Sequence, residues 1–193
     1  LHNRSVELAK KYNLELEVLS SLTCAPGTIV KEVSNVERML ISGVAKDTDI
    51  ARISVVGVPD EPGLAFKMFS KLAAKDVNID IILQSIGRDG TKDIAFTCAK
   101  DKLNDAKEVI NAFMPTLKAQ KVVYDEDVAK VSIVGAGMES HSGFASKMFE
   151  ALYNANINIQ MISTSEIKIS VLINTADADR AVAALHAKFF DQH

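Results

Sequence analysis

The chain has 193 residues, of which 48% are hydrophobic and 24% charged, with a formal net charge of −3 and no tryptophan. That mild acidity argues against a nucleic-acid surface, which shows as a basic patch or stripe, and no apolar run approaches the ~20 residues of a membrane-spanning helix. The two cysteines, Cys24 and Cys98, lie far apart without a CxxC partner, so they read as buried thiols of a reducing cytoplasm, with no metal site expected.

Residues 1–12, LHNRSVELAKKY, carry helical spacing through Val6, Leu8, Ala9 and Tyr12, and Leu14–Leu19 alternates with glutamate as a strand does. Ala25-Pro26-Gly27-Thr28 then breaks the pattern. A helix beginning at the first residue without a cap reads as the end of something larger. Met39–Ala45 (MLISGVA) follows as a short strand in need of a sheet.

From Ala51 the chain states one unit twice: ARISVVGVPDEPGLAFKMFSKLAAKDVNID at 51–80 and AKVSIVGAGMESHSGFASKMFEALYNANINIQ at 129–160. Residues 51–59 match 129–137 and residues 63–80 match 143–160, the second copy carrying two extra residues in the turn between. Each copy opens with an apolar strand (Ile53, Val55, Val56; Val131, Ile133, Val134). A Gly-bearing turn leads to a helix with one apolar stripe, Leu64, Met68 and Leu72 beside Ala65 and Phe69 in the first, and Phe144, Met148 and Leu152 beside Ala145 and Phe149 in the second. An asparagine turn follows, then a second strand (Asn78–Ser85; Asn158–Thr164), a third (Asp93–Ala99; Lys168–Asn174) and a second helix (Asp101–Met114; Ala176–Phe190).

The first copy adds a fourth strand, Gln120–Tyr124, whereas the second has none after its last helix. A ferredoxin-like unit needs strand, helix, strand, strand, helix, strand, so the simplest closure lends the early strand 39–45 to the second copy. The expected fold is α+β: two ferredoxin-like βαββαβ domains with helices on one face of antiparallel sheets, the first (50–125) nested in the second (39–46 plus 128–193), after a lead-in at 1–30.

The paired VGVPDEPG and VGAGMESHSG turns, NIDIILQS, ISTSEIKISVLI and AVAALHAKF resemble the two ACT domains of aspartate kinase, from about Met39 to Phe190. LHNRSVELAKKYNLELEVLSS is similar to the last helix and strand of that family's kinase domain, with Asn3 departing from the usual proline. The glycine motif of the kinase, and with it the groups that hold ATP, magnesium and aspartate, are missing. The resemblance therefore implies a regulatory fragment or subunit, without a catalytic constellation or cofactor of its own. It would be cytoplasmic and homodimeric through its ACT domains, and would bind lysine and/or threonine for feedback inhibition of an aspartate kinase catalytic domain. A stand-alone tandem ACT interaction protein is the alternative, disfavoured by the kinase-like lead-in.

A free amino acid presents a carboxylate and an ammonium. The carboxylate suits unpaired N–H groups at a helix start, and the turn Asp60-Glu61-Pro62-Gly63-Leu64-Ala65 offers one, with Pro62 expected at the first helical position. Asp80 is the expected ammonium acceptor, with Gln84 further along the same strand face. Asp60, Gly63, Leu64, Ala65, Asp80 and Gln84 match the family's effector pocket, and the resemblance adds Asn158, Ile159, Met138, Ser163, Thr164, Ser165 and Glu166 from the second copy. Because Asp80 corresponds to the neutral Gln160, the tighter site is expected on the first copy. Gly135-Ala136-Gly137 lacks the third glycine and downstream acid of a dinucleotide loop. His141 reads as an ordinary loop residue, and Ser165 and Glu166, preceding a strand, read as free for a ligand.

Overall fold

The computed structural model describes residues 2–22, 26–30, 41–85, 87, 89–135 and 143–191. Two compact units divide the chain, 1–40 and 41–193. In the first, helix α1 (Asn3–Lys11) opens on His2, whose Nδ1 accepts from the Arg4 amide at 3.2 Å, and strands β1 (Leu16–Val18) and β2 (Thr28–Val30) pair antiparallel. The helix and the first strand follow the expected periodicity. Strand β2 lies at the end of the Pro-Gly break, which a purely local reading treats as punctuation.

The larger unit holds two four-stranded antiparallel sheets. The first repeat runs β4 (Ile50–Pro59), α2 (Leu64–Ala74), β5 (Ile82–Gln84), β6 (Thr91–Ala99), α3 (Leu103–Leu117) and β7 (Lys121–Asp125), with spatial order β5-β6-β4-β7. The second runs β8 (Val128–Val134), α4 (Phe144–Asn154), β9 (Met161–Thr164), β10 (Lys168–Asn174) and α5 (Ala178–Phe190). Its fourth strand is β3 (Gly43–Asp47), which pairs antiparallel with β8, Val44 opposite Ile133, so the spatial order is β3-β8-β10-β9. This is the ferredoxin-like arrangement in both copies, and β3 reaches it from before the whole first repeat. The strand sits at 43–47, later than the expected 39–45, and residues 39 and 40 fall outside the described set.

Strand alternation decides the cores. Ala51, Ile53 and Val55 of β4 and Ile94, Phe96 and Cys98 of β6 point toward the helices and pack with Met68, Leu72, Ile110 and Leu117. Phe69 meets Phe96 edge-on at 5.4 Å. Ala129, Val131, Ile133, Ile169, Val171 and Ile173 do the same for the second repeat with Met148, Leu152 and Leu185. Each of these large side chains, fully buried, contributes roughly 1.5–3 kcal/mol by leaving water. Helix α3 continues past Met114 through Pro115 to Leu117, because Leu117 is fully buried in the first core and Lys118, at φ 51°, ends the helix only afterwards.

A third cluster draws on residues from both sheets: Ile50 and Ile81 of the first repeat with Val128, Met161 and Leu172 of the second. Ile50, Val128 and Leu172 have the opposite strand parity to the core residues of their own repeats, so they come from the faces turned away from the helices. On that face the buried hydroxyls of Ser132 and Ser170 satisfy each other at 2.8 Å. The nested repeats thus share a packed seam.

Candidate functional site

Helix α2 is preceded by Gly63 at φ 89°, with no side-chain cap, and nothing lies within 4 Å of where a Cβ would sit. Gly143 does the same before α4, at φ 100°. The left-handed backbone is one that glycine adopts without steric cost, and it leaves open space at the helix start. Pro62 stands before this cap, one residue outside the position expected for it, and the first helical residue is Leu64, which together with the adjoining Ala65 packs on the core.

Asp60 marks the mouth of that turn. Its amide donates to the Gly90 carbonyl at 2.9 Å, and its exposed carboxylate accepts from Lys92 Nζ at 2.9 Å. Lys92, on β6, is only 11% exposed, so an almost covered ammonium stands behind the carboxylate. Asp93 beside it accepts from the Gly57 amide at 2.8 Å, where β4 breaks register and Gly57 takes φ 70°. Gln84 ends β5 opposite Ile94 with its side chain exposed.

Asp80 does not join this group. Its amide donates to the Thr97 carbonyl, whereas Asp60 bonds at Gly90. Seven strand residues separate those two points, about 20 Å at roughly 3.3 Å per residue. Its carboxylate is already engaged by the second repeat: Lys130 Nζ at 2.5 Å from Oδ2 and Lys168 Nζ at 3.9 Å from Oδ1. Lys130 also lies 3.4 Å from Asp47 on β3. Burial pulls the Lys130 ammonium down, yet the hydrogen bond and charge of Asp80, with Asp47, outweigh it and raise it above the ordinary lysine range. The expectation that Asp80 waits for a ligand ammonium is corrected by these lysines, which come from strands some fifty or more residues away and leave no trace in local spacing.

The second repeat's candidates are likewise divided. Asn158 is exposed and Ile159 packs on its own core, just before Gln160, whose amide donates to Leu172. Ser163 and Thr164 lie on β9 opposite Ser170 and Ile169, toward the other end of that sheet. Ser165 closes the β9–β10 turn: its hydroxyl accepts from the Lys168 amide at 3.2 Å, and its own amide donates to the Lys168 carbonyl at 2.8 Å. That turn role explains why Ser165 precedes a strand, and the earlier reading of it as free is corrected. Glu166 is exposed in the same turn. Met138, His141, Cys24 and the two-residue insertion fall outside the described residues.

Cys98 is 2% exposed and its thiol is pushed up, by burial first and by the Asp101 charge second, which suits the inert thiol expected of it. No group of three metal-ligating side chains occurs among the described residues, and no described helix is long and apolar enough to cross a membrane. Two shallow grooves run between the helices, about 310 Å³ at Lys71, Lys75, Glu108 and Phe113 and about 410 Å³ at Ala151, Ala184 and Lys188. Neither touches the Gly63 turn.

The ACT-domain profile matches twice, at residues 53–113 and 131–189, one match on each repeat. The chain is 48% identical over 191 residues to the aspartokinase of Mycolicibacterium smegmatis, covering 96% of this chain and 45% of that protein. It is 46% identical over 191 residues to the aspartate kinase Ask_LysC of Stutzerimonas stutzeri, covering 98% and 46%. It thus spans about half the length of these relatives. Among solved structures, the ligand-free regulatory subunit of aspartate kinase from Thermus thermophilus superposes with a TM-score of 0.74 at 38% identity, covering 78% of this chain and 99% of that one. Two ferredoxin-like repeats, one nested in the other and each matched by the same family, leave one assignment: the chain belongs to the ACT-domain family, as the tandem-ACT regulatory part of an aspartate kinase.

Proposed function

We propose that this chain senses lysine and/or threonine and conveys its occupancy to an aspartate kinase catalytic domain or subunit as feedback inhibition. The observation that carries the reading is the uncapped start of α2, with left-handed Gly63, open space above it and the Asp60 carboxylate at its mouth. The helix start offers N–H groups and a favourable dipole to the amino acid's carboxylate. Asp60, with an exposed oxygen beyond its Lys92 contact, takes the ammonium in place of Asp80. Gln84 lies toward the same end of the sheet.

Asn158 and Ile159 lie by the Leu172 end of their own sheet, at the seam with Ile81, so within one chain they are removed from the Gly63 turn. On this reading they close the site from a second copy, in a homodimer that also covers the exposed edge strands β5 and β9. Any site on the second repeat's Gly143 turn, including Met138 and Glu166, is the weaker one. ATP and magnesium belong to the kinase part, and the chain works where that kinase works, in the cytoplasm. An effector acts only through unequal affinity for two arrangements of the enzyme.

Calorimetric titration with the twenty amino acids, run beside light scattering, tests this. Lysine or threonine binds to a dimer, and Asp60→Ala weakens the tighter ligand at least tenfold. A monomer with no amino acid binding below about millimolar overturns the reading, and so does aspartyl-phosphate formation by the chain alone.

A further inference from the structure

The seam between the repeats contains one charged group set that the proposed ligand site does not use. Asp80 enters it from the loop before β5. Lys130 enters from β8, on the face it shares with Val128 and Ser132, with its side chain only 16% exposed. Lys168 enters from β10, and Asp47 from the end of β3. Around them lie Ile50, Ile81, Val128, Met161 and Leu172, all buried.

We infer that Lys130 is a coupling residue that joins the first repeat, the second repeat and the strand β3 through Asp80 and Asp47, so that a displacement of the 77–81 loop is felt at β3. Three features of its geometry support this. Lys130 is shared, 2.5 Å from Asp80 in one repeat and 3.4 Å from Asp47 in another element, and so cannot follow one without leaving the other. Asp47 in turn accepts from the Asp49 amide at 3.0 Å, which holds the β3–β4 turn, the point where the chain passes from the second sheet into the first. Asp80 has no freedom to drift either, because its amide is bonded to Thr97, and the Thr97 hydroxyl, buried, accepts from the neighbouring Ile81 amide at 3.1 Å. The pair therefore links rigid backbone to rigid backbone, unlike an ion pair between mobile surface side chains, which couples little.

The equivalent position in the second repeat shows what is special about the first. Gln160 makes the same backbone bond, to Leu172, but its exposed side chain carries no charge. Coupling thus runs one way through the seam, from the first repeat's loop onto the second repeat's sheet and onto β3, which in sequence follows directly on residues 1–40. Neighbouring charges were checked for competition: Lys46, next to Asp47, is turned to Asp179 of α5, and Arg52 of β4 is held by Asp125 at 2.6 Å. Neither displaces Lys130 from its two carboxylates.

The experiment is amide hydrogen exchange by mass spectrometry on the whole chain, comparing wild type with Asp80→Asn, Lys130→Gln and the double variant. Peptides covering 43–50, 77–84 and 128–134 are followed. Asp80→Asn is expected to raise exchange at least threefold in 77–84 and also in 128–134 and 43–50, and the double variant to add little to either single one, because both remove the same contact. Exchange that rises only in 77–84, or a double variant showing the product of the two single effects, overturns the inference. If Asp80→Asn does not fold, Asp80→Glu with Asp47→Asn gives the same comparison: Asp47→Asn alone must loosen 77–84 as well as 43–50, and a change confined to 43–50 overturns the inference equally. None of these readouts depends on a bound amino acid, so failure here and failure of the sensing role are separate results.

Discussion

The two repeats build the same scaffold from different side chains. Their backbones agree in detail: a left-handed glycine before the first helix, Asp80 and Gln160 bonded to equivalent carbonyls, and a lysine-free apolar stripe of Leu or Phe, Met and Leu facing the sheet. They diverge where charge is placed. The first repeat sets Asp60 against nearly covered Lys92 at its turn, while the matching strand position in the second is Ile167, 59% exposed. The first repeat's Asp80 reaches across the seam, and the second repeat's Gln160 does not. A ferredoxin-like core tolerates such divergence because these positions lie at turns and strand ends, outside the layer that alternation buries. Duplication thus preserved the packing and freed the rim for separate tasks.

The largest expected effect tests the sameness of the cores. Leu72 and Leu152 hold equivalent positions and both are fully buried. Leu72→Ala and Leu152→Ala should each cost about 2–5 kcal/mol by lost transfer energy and a residual cavity, measured by urea unfolding. Because the repeats share the Ile50–Leu172 seam, both variants should still unfold in one transition. Two resolved transitions in either would show the repeats to be independent.

A smaller effect tests the sameness of the turns. Gly63→Ala and Gly143→Ala meet no steric obstacle, yet each forces a Cβ onto a left-handed backbone, at about 1–2 kcal/mol. Equal losses of stability, with weakened amino acid binding only for the first, would sharpen the distinction between the turns. Equal losses of binding would erase it.

The smallest effect concerns the seam at high pH. Lys130 has its folded pKa raised above the unfolded value by Asp80 and Asp47, despite its burial and the nearby Lys168. A raised base contributes stability fully below the unfolded value, near 10.4, and loses it as pH climbs through the folded one. The native chain should therefore lose more stability between about pH 10 and 11.5 than Lys130→Met does, in parallel urea titrations. Identical slopes would remove Lys130 from the seam's energetics.

Much of this molecule can be read from its residues. Period-two and 3.6-residue patterns place Ile53, Val55, Met68 and Leu72 in a core, and the count of strands alone requires β3 to serve the second sheet, since no strand follows α5 among the residues available. The spacing also marks Gly63 and Gly143 as helix starts, because a Gly-bearing turn between an apolar strand and an amphipathic helix has few other geometries. What local pattern could not supply is the partner of each charge. Asp80 was assigned to a ligand and belongs to Lys130 and Lys168; Ser165 was left free and closes a turn; Lys92, behind Asp60, carried no signal at all.

Sequence by itself determined the repeat, the helix and strand inventory, the two cores and the family. These follow from periodicity and from short-range backbone preferences, which act within a turn or two of chain. Only the tertiary structure decided that Asp60 and Asp80 stand about 20 Å apart at opposite ends of a sheet, and that the helix-free faces meet at Ile50, Val128 and Leu172. Charge pairing and seam packing depend on distances between strands remote in sequence, and no spacing along the chain encodes those distances.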